Sequence, residues 1–309
     1  MNMKFLKQFF AVLKKAFHEF VQDDAIKLSA SLSYYTVFSI GPLLVIIISL
    51  SGIFFGQAAV EGKIYGQLKG LIGSTASLQV EDIIRNIRQS QHTVAGAIIG
   101  FIILLLGATG VFTEIQGSIN YIWSIKAKPK KGWLKLVVNR LLSFSLVVGL
   151  SFVLMVSLTV NALMDLLNDN LKRYFANVTV HVLYVFNLLL ILAVITGLFA
   201  VVFKVLPDAR IKWKDAFTGA LFTAFLFLLG KVLIGVYLGN SRIGLTYGAS
   251  ASVIIILSWV YYSSIILFFG AEFTKVYTMR HGSGIVPNDT AVFIIKREAK
   301  EIAAVPHEV

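Results

Sequence analysis

Charged and hydroxylated side chains set into apolar runs are the residues of this chain best placed to do chemistry, because each is costly there unless paired or put to use. Asp24, Lys27, Ser31, Tyr34, Tyr35 and Phe38 recur at three- and four-residue spacing, along one face of a helix that leads into a long apolar run. Gly41 and Pro42 follow, and the proline has no N–H to offer the carbonyl of Phe38, so that oxygen needs another partner. Two readings fit: a kink satisfied by a neighbouring helix, or a broken helix beside a substrate cavity. Glu114 shares a helical face with Gly96, Gly100, Gly107, Gly110 and Gly117, and small residues mark close packing, so it faces the bundle. Asp24, Lys27, Asn120, Asn139, Arg140 and Glu272 are expected at the depth of Glu114, near one membrane boundary, with Glu114 and Glu272 paired to Arg140 or Lys27. A structural clasp and a site for a substrate headgroup fit this cluster equally. Lys231 falls in the far half of its apolar run, where it snorkels toward headgroups or receives an anionic group that has crossed.

Enzyme chemistry finds less support. Histidines occur at His18, His92, His181, His281 and His307, with no H-E-x-x-H or paired-ligand spacing, which argues against a metal-dependent hydrolase and against any metal cofactor. Ser250 and His181 each open an apolar run and could form a dyad, but a serine at a helix start is usually a cap. Cysteine is absent, which removes thiolate nucleophiles and disulfides. A net charge of +12 raises nucleic acid as a partner, yet no polar segment interleaves basic and aromatic residues, so anionic lipid is the simpler partner.

The elements that carry these residues follow from hydropathy. Apolar residues make up 57% of the 309 positions and charged residues 14%, a balance that requires lipid as the solvent. Apolar windows of roughly 20 residues, the length that crosses a ~30 Å hydrocarbon layer, occur near Leu32 to Phe55, Val94 to Phe112, Leu141 to Leu163, Val180 to Val202, Phe217 to Leu238 and Ala251 to Phe273. The expected fold is all-α: a polytopic membrane protein of six transmembrane helices over 29–279, preceded by an amphipathic interfacial helix over 1–28. In that first segment Leu6, Phe9, Phe10, Leu13, Phe17 and Phe20 are set against Lys4, Lys7, Lys14 and Lys15. An outer loop spans 56–93, with a short helical cap near Val80 to Ile87. A polar tail occupies 280–309, with an amphipathic stretch near Val292 to Ile302. Of the 28 Lys and Arg residues, 20 fall in the segments on the side of the N-terminus and 7 in the opposite ones, which places both ends in the cytoplasm.

The segment Ser31-Leu32-Ser33-Tyr34-Tyr35-Thr36-Val37-Phe38-Ser39-Ile40-Gly41-Pro42-Leu43 resembles the opening helix of the YihY/BrkB family of bacterial inner-membrane proteins. Asn120 to Trp123, Leu206-Pro207 followed by Trp213 and Gly219-Ala220, Tyr247-Gly248, Trp259 with Tyr262, and Gly270-Ala271-Glu272 are similar in the same order. The resemblance implies a six-helix protein of the bacterial cytoplasmic membrane. It also brings a former ribonuclease label, for which the chain offers no metal ligands, soluble catalytic domain or nucleic-acid groove, and proposed roles in exporting amphipathic compounds or moving lipids between leaflets. Two functions are therefore expected: a noncatalytic transporter or flippase for an amphipathic, anionic, lipid-like substrate, or a membrane scaffold serving an envelope complex. Membrane lipids are the expected partners, and the sequence is silent on oligomeric state.

The charge bias generates a direct test. Because the chain has no cysteine of its own, Asn86→Cys and Asn168→Cys should react with an impermeant thiol reagent added outside intact cells, and Pro129→Cys should not. Labelling at position 129 would overturn the orientation.

Overall fold

The computed structural model describes residues 3–39, 78, 81, 110–128, 178–240, 247 and 251–296. Helices dominate them: α1 (Met3–Gln22), α2 (25–39), α3 (110–122), α4 (Val178–Val205), α5 (Trp213–Asn240) and α6 (Ala251–His281). Among the described residues, three stretches are long and apolar enough to cross a membrane: Leu188–Val205, Trp213–Leu238 and Val253–His281. They match the fourth, fifth and sixth expected windows. The first two windows are described only where α2 and α3 enter them. The window near Leu141 to Leu163, the Pro42 kink and Arg140 lie outside the described residues.

The described residues are mostly helical, as expected, with two short strand pairs added. Strands β1 (Ile125–Ala127) and β4 (Ala291–Phe293) pair antiparallel, as do β2 (Ala209–Arg210) and β3 (Val286–Pro287). Each sheet joins the segment after α6 to a loop that follows an earlier helix. A ladder of two or three residues recruited from distant segments leaves no periodic trace in sequence, because strand alternation needs about four residues to be visible. The amphipathic stretch expected from Val292 therefore begins as a strand edge.

Helix ends follow local chemistry. Pro207 lies just past α4, where it cannot continue the helix. Asp215, in the first turn of α5, accepts hydrogen bonds from the Ser283 N–H at 3.1 Å and the Ser283 hydroxyl at 2.8 Å, tying the start of α5 to the end of α6. The amphipathic helix expected over 1–28 stops sooner, at Gln22, because Asp23 and Asp24 form a turn with Asp24 at φ 50°. Aspartate is one of the few residues that tolerates that left-handed conformation. α1 then packs on α6, burying Val12, Ala16 and Phe20 against Phe269, Phe273 and Val276. Its other apolar residues, Phe10, Phe17 and Val21, are exposed. The core beside it is built on Trp123, Ile119, Ile122, Phe203 and Phe268, all but fully buried.

α5 and α6 approach most closely at two reciprocal contacts. A Cβ on Gly219 would stand 1.9 Å from Thr274 Oγ1, and one on Gly270 would stand 2.0 Å from Thr223 Oγ1. Each threonine turns its hydroxyl back on its own helix, Thr223 donating to the Gly219 carbonyl at 2.7 Å and Thr274 to the Gly270 carbonyl at 2.6 Å. The polar atom is thereby satisfied without water, and the glycine opposite leaves room for the side chain.

A methyl group has no space at either glycine, and threonine is stiff about χ1. Gly219→Ala or Gly270→Ala should therefore cost about 1–3 kcal/mol through overpacking, read as a lower Tm in detergent. Gly235→Ala, whose added Cβ would meet nothing within 4 Å, should leave Tm nearly unchanged.

Candidate functional site

Glu272 belongs to the tightly packed half of α6 and has no exposed surface. Such a carboxylate demands a nearby cation. Of the expected partners, Lys27 pairs elsewhere and Arg140 lies outside the described residues; the cation at hand is Lys275, one helical turn on, at 3.4 Å from Glu272 Oε2. Lys275 does not serve Glu272 alone. Its ammonium stands 2.7 Å from Glu19 Oε2 of α1 and 3.6 Å from Asp23 Oδ2 of the turn after it. Asp23, itself buried, also pairs with Lys296 from the segment after β4. Lys296 further donates to the Ile122 carbonyl at 3.3 Å and lies over the Tyr121 ring, 4.4 Å from its centroid. Burial pulls the Lys296 ammonium below its ordinary pKa; Lys275 adds to that fall and Asp23 opposes it.

Three buried or half-buried carboxylates thus face two ammonium groups. Lys15 reaches Glu19 at 3.5 Å, but its side chain is 58% exposed and its charge is screened by water. Glu272 Oε1 has no hydrogen-bond partner among the described residues.

The other residues singled out by sequence are distributed differently. Asp24 and Lys27 pair with each other at 3.6 Å on the surface, with side chains 72% and 82% exposed, and do not join the buried cluster. Asn120 is bound up in a clamp: its Nδ2 donates to Asp208 Oδ2 and its Oδ1 accepts the Asp208 N–H, both at 2.8 Å. Ser31 and Glu114 are partly buried on α2 and α3. Lys231 is half-buried along α5, far in sequence from the end that bears the cluster. Ser250 and the side chain of His181 fall outside what is described.

Tyr34, Tyr35 and Phe38 form an exposed stripe on α2, at 59%, 45% and 64%, while Leu32, Ser33 and Ser39 are buried. The Tyr34 and Phe38 rings meet along the stripe at a tilt of 57°, with centroids 4.9 Å apart. Ser39 and Tyr35 approach the backbone of Gly110, so α2 leans on the start of α3.

Sequence reasoning missed Glu19, Asp23, Lys275 and Lys296. Two signals were present: the E-x-x-K spacing of Glu272 and Lys275, and Glu19 on the same face of α1 as the apolar residues Val12, Ala16 and Phe20.

The family model described as "Virulence factor BrkB" matches residues 16–291. Among curated relatives, a "UPF0761 membrane protein" of Saccharophagus degradans is 26% identical over 282 residues, 89% of this chain and 60% of the relative. One from Pseudomonas aeruginosa is 27% identical over 82% of this chain and 59% of the relative. One from Psychromonas ingrahamii is 28% identical over 82% of this chain and 83% of the relative. The chain spans about 60% of the length of the first of these relatives. No solved structure matches it.

The cluster geometry ranks its members. Lys275→Met removes the cation shared by three carboxylates and should cost about 3–5 kcal/mol, the penalty for stranding buried charge. Lys27→Met, at an exposed pair, should change little. Tm of both variants in one detergent checks the order, and equal Tm values would refute it.

Proposed function

From the premise that this chain belongs to the Virulence factor BrkB family of membrane proteins, we propose that it is a transporter or flippase moving an amphipathic, anionic, lipid-like substrate across the cytoplasmic membrane. In this reading the bundle has six spans, both ends lie in the cytoplasm, and α1 rests in the interface with Phe10 and Phe17 turned to lipid. The end that bears α1 and the buried ion cluster is then the cytoplasmic one.

The observation that carries the proposal is the exposed stripe of Tyr34, Tyr35 and Phe38. Tyr34 lies ten residues beyond Asp24, a rise of roughly 15 Å along the helix, about half of a ~30 Å hydrocarbon layer. Tyrosine is favoured at membrane interfaces, where its ring meets lipid and its hydroxyl meets water. At mid-depth two exposed hydroxyls have neither water nor headgroups unless a polar group passes them. A lipid whose headgroup follows the stripe while its chains stay in the bilayer satisfies both: the hydroxyls donate to the headgroup, and Phe38 bounds the route on its apolar side. Lys27, exposed at the foot of α2, supplies a positive charge where an anionic headgroup would enter. Ser31, one turn below Tyr34 and Tyr35, continues the polar line. Pro42, Glu114, Arg140 and Lys231 extend the same proposed pathway. Asn120 and Glu272 serve it from behind, one holding a loop and the other inside the ion cluster.

The assay is purified protein in vesicles that carry a fluorescent anionic phospholipid, with leaflet exchange followed by chemical quenching from outside. Exchange should exceed that of protein-free vesicles. Tyr34→Phe, which removes one hydrogen bond worth about 1 kcal/mol, should slow it about fivefold. Leu229→Ala, at an exposed apolar position of α5, should not. Exchange at the protein-free rate across a range of anionic lipids would remove the proposal and favour a scaffold.

A further inference from the structure

We propose that Asp23 and Glu272 hold one exchangeable proton between them and form a proton-loading site in the ion cluster. The argument begins with charge. Glu19, Asp23 and Glu272 present three carboxylates to Lys275 and Lys296, and the cluster is closed to solvent at its centre, with Glu272 at 0% and Asp23 at 6% exposure. Among these five groups one negative charge is left over, and the next cation, Lys15, reaches only Glu19, from the surface.

The second strand of the argument is geometric. Lys275 divides one ammonium among three carboxylates, and its contacts with Glu272 and Asp23, at 3.4 and 3.6 Å, are the longer ones. Glu272 Oε1 has no hydrogen-bond partner among the described residues. Glu272 Oε2 and Asp23 Oδ2 thus meet at one ammonium, and both carboxyl groups are buried. Two ionised carboxylates in that position can only repel. A single proton turns one of them into an O–H donor toward the other, fills the vacant hydrogen bond and balances the charge.

The groups that face the pair come from every element around it. Glu19 stands on α1 with Lys15 behind it, Lys275 is on α6 itself, Lys296 comes from the C-terminal segment, and the Tyr121 ring on α3 lies under Lys296. Lys275 fills the centre that a metal ion would need, which favours a proton over a metal as the ligand. Loading is a simple transfer: hydronium gives its proton to a carboxylate oxygen and leaves as water, with no other bond changed. Glu19 and Lys296, which flank the pair, are partly exposed, with side chains at 20% and 22%.

Loading also changes what the cations do. With the pair protonated, Asp23 and Glu272 pull less on Lys275 and Lys296. Lys296 is the side chain that pins the C-terminal segment to the end of α3, so the proton reaches the segment that ties the loops together. Use of this proton to drive substrate movement rests on the transport reading above; the site itself does not.

The experiment is infrared difference spectroscopy on the full-length protein in phospholipid vesicles, switched between acidic and alkaline buffer. A carboxylic acid C=O band from a buried group, slow to shift in heavy water, is expected in the wild type. It should be lost in Glu272→Gln and moved in Asp23→Asn. Because either variant could fold poorly, wild type carrying 13C-labelled glutamate or aspartate provides the independent check, and at least one label should lower the band frequency. A band that neither label moves, or no slowly exchanging carboxyl band at all, would overturn the site. In a second arm, exchange of the fluorescent anionic lipid is followed with and without an imposed pH difference. The wild type should respond to the gradient and Glu272→Gln should not. Lipid exchange indifferent to the gradient would end the coupling claim, whereas no exchange under any condition would end the transport reading and leave the infrared result to decide the site.

Discussion

An acidic side chain sealed inside a helical bundle must be compensated from close by, and the way Glu272 meets that constraint organises one whole end of this molecule. Its cation, Lys275, arises from its own helix, so compensation alone would need nothing else. Yet Lys275 also draws in Glu19 and Asp23, and Asp23 draws in Lys296. Four chain segments meet through these side chains: α1, the turn after it, α6 and the C-terminal segment. A buried ion pair contributes little net stability compared with apolar packing of the same volume. What it supplies is a penalty for separating any one segment, since each departure strands a charge.

The apolar packing has the complementary role. The reciprocal glycine and threonine contacts hold α5 and α6 at a backbone distance that no larger residue would allow, and they occur at Gly270 and Thr274, on either side of Glu272 in sequence. Residues 270 and 274 share a face of α6, and residue 272 points away from it. The helix therefore presents its interlocked side to α5 and its charged side to α1. Trp123 closes the space beside it, with its indole N–H donating to the Ala271 carbonyl at 3.1 Å. A large aromatic ring with one polar atom suits that position, where one end must fill volume and the other must satisfy a carbonyl.

Much of this was legible in the sequence, and the parts that were not share a physical cause. The last three spans are sustained apolar runs, so hydropathy located them to within a turn or two at each end, and α1 was visible from its spacing of phenylalanine and leucine. Glu272 stood out because it interrupts an apolar run. Its surroundings did not, because they depend on contacts between residues distant in sequence. Periodicity favoured Asp24 as the acidic member of the α2 face, but the left-handed turn at that residue breaks the register, sending Asp24 to the surface and Asp23 inward. Lys296 looked like one more basic residue of a polar tail. Asn120, read as part of a charged rim, is saturated by Asp208 and acts as a loop clamp.

The segment after α6 shows why that tail is more than a trailing end. Asn288 donates its N–H to the Asp208 carbonyl at 2.9 Å, Thr290 accepts from the Lys128 N–H at 2.7 Å, and Ile294 donates to the Ser124 carbonyl at 2.8 Å. With the two strand pairs, these bonds fasten it to the loop after α3 and the loop after α4 in turn. The backbone ladder alone would be marginal, because isolated strand pairs of this length are weak in water. Lys296 stands two residues after the last of these bonds and ends in the ion cluster, so the ladder and the buried charges hold the same segment from two sides. Loops that would otherwise move independently are joined through one strip of chain whose final anchor is electrostatic. Any event that alters the charge at Asp23 or Glu272 therefore acts on the loops after α3 and α4 together.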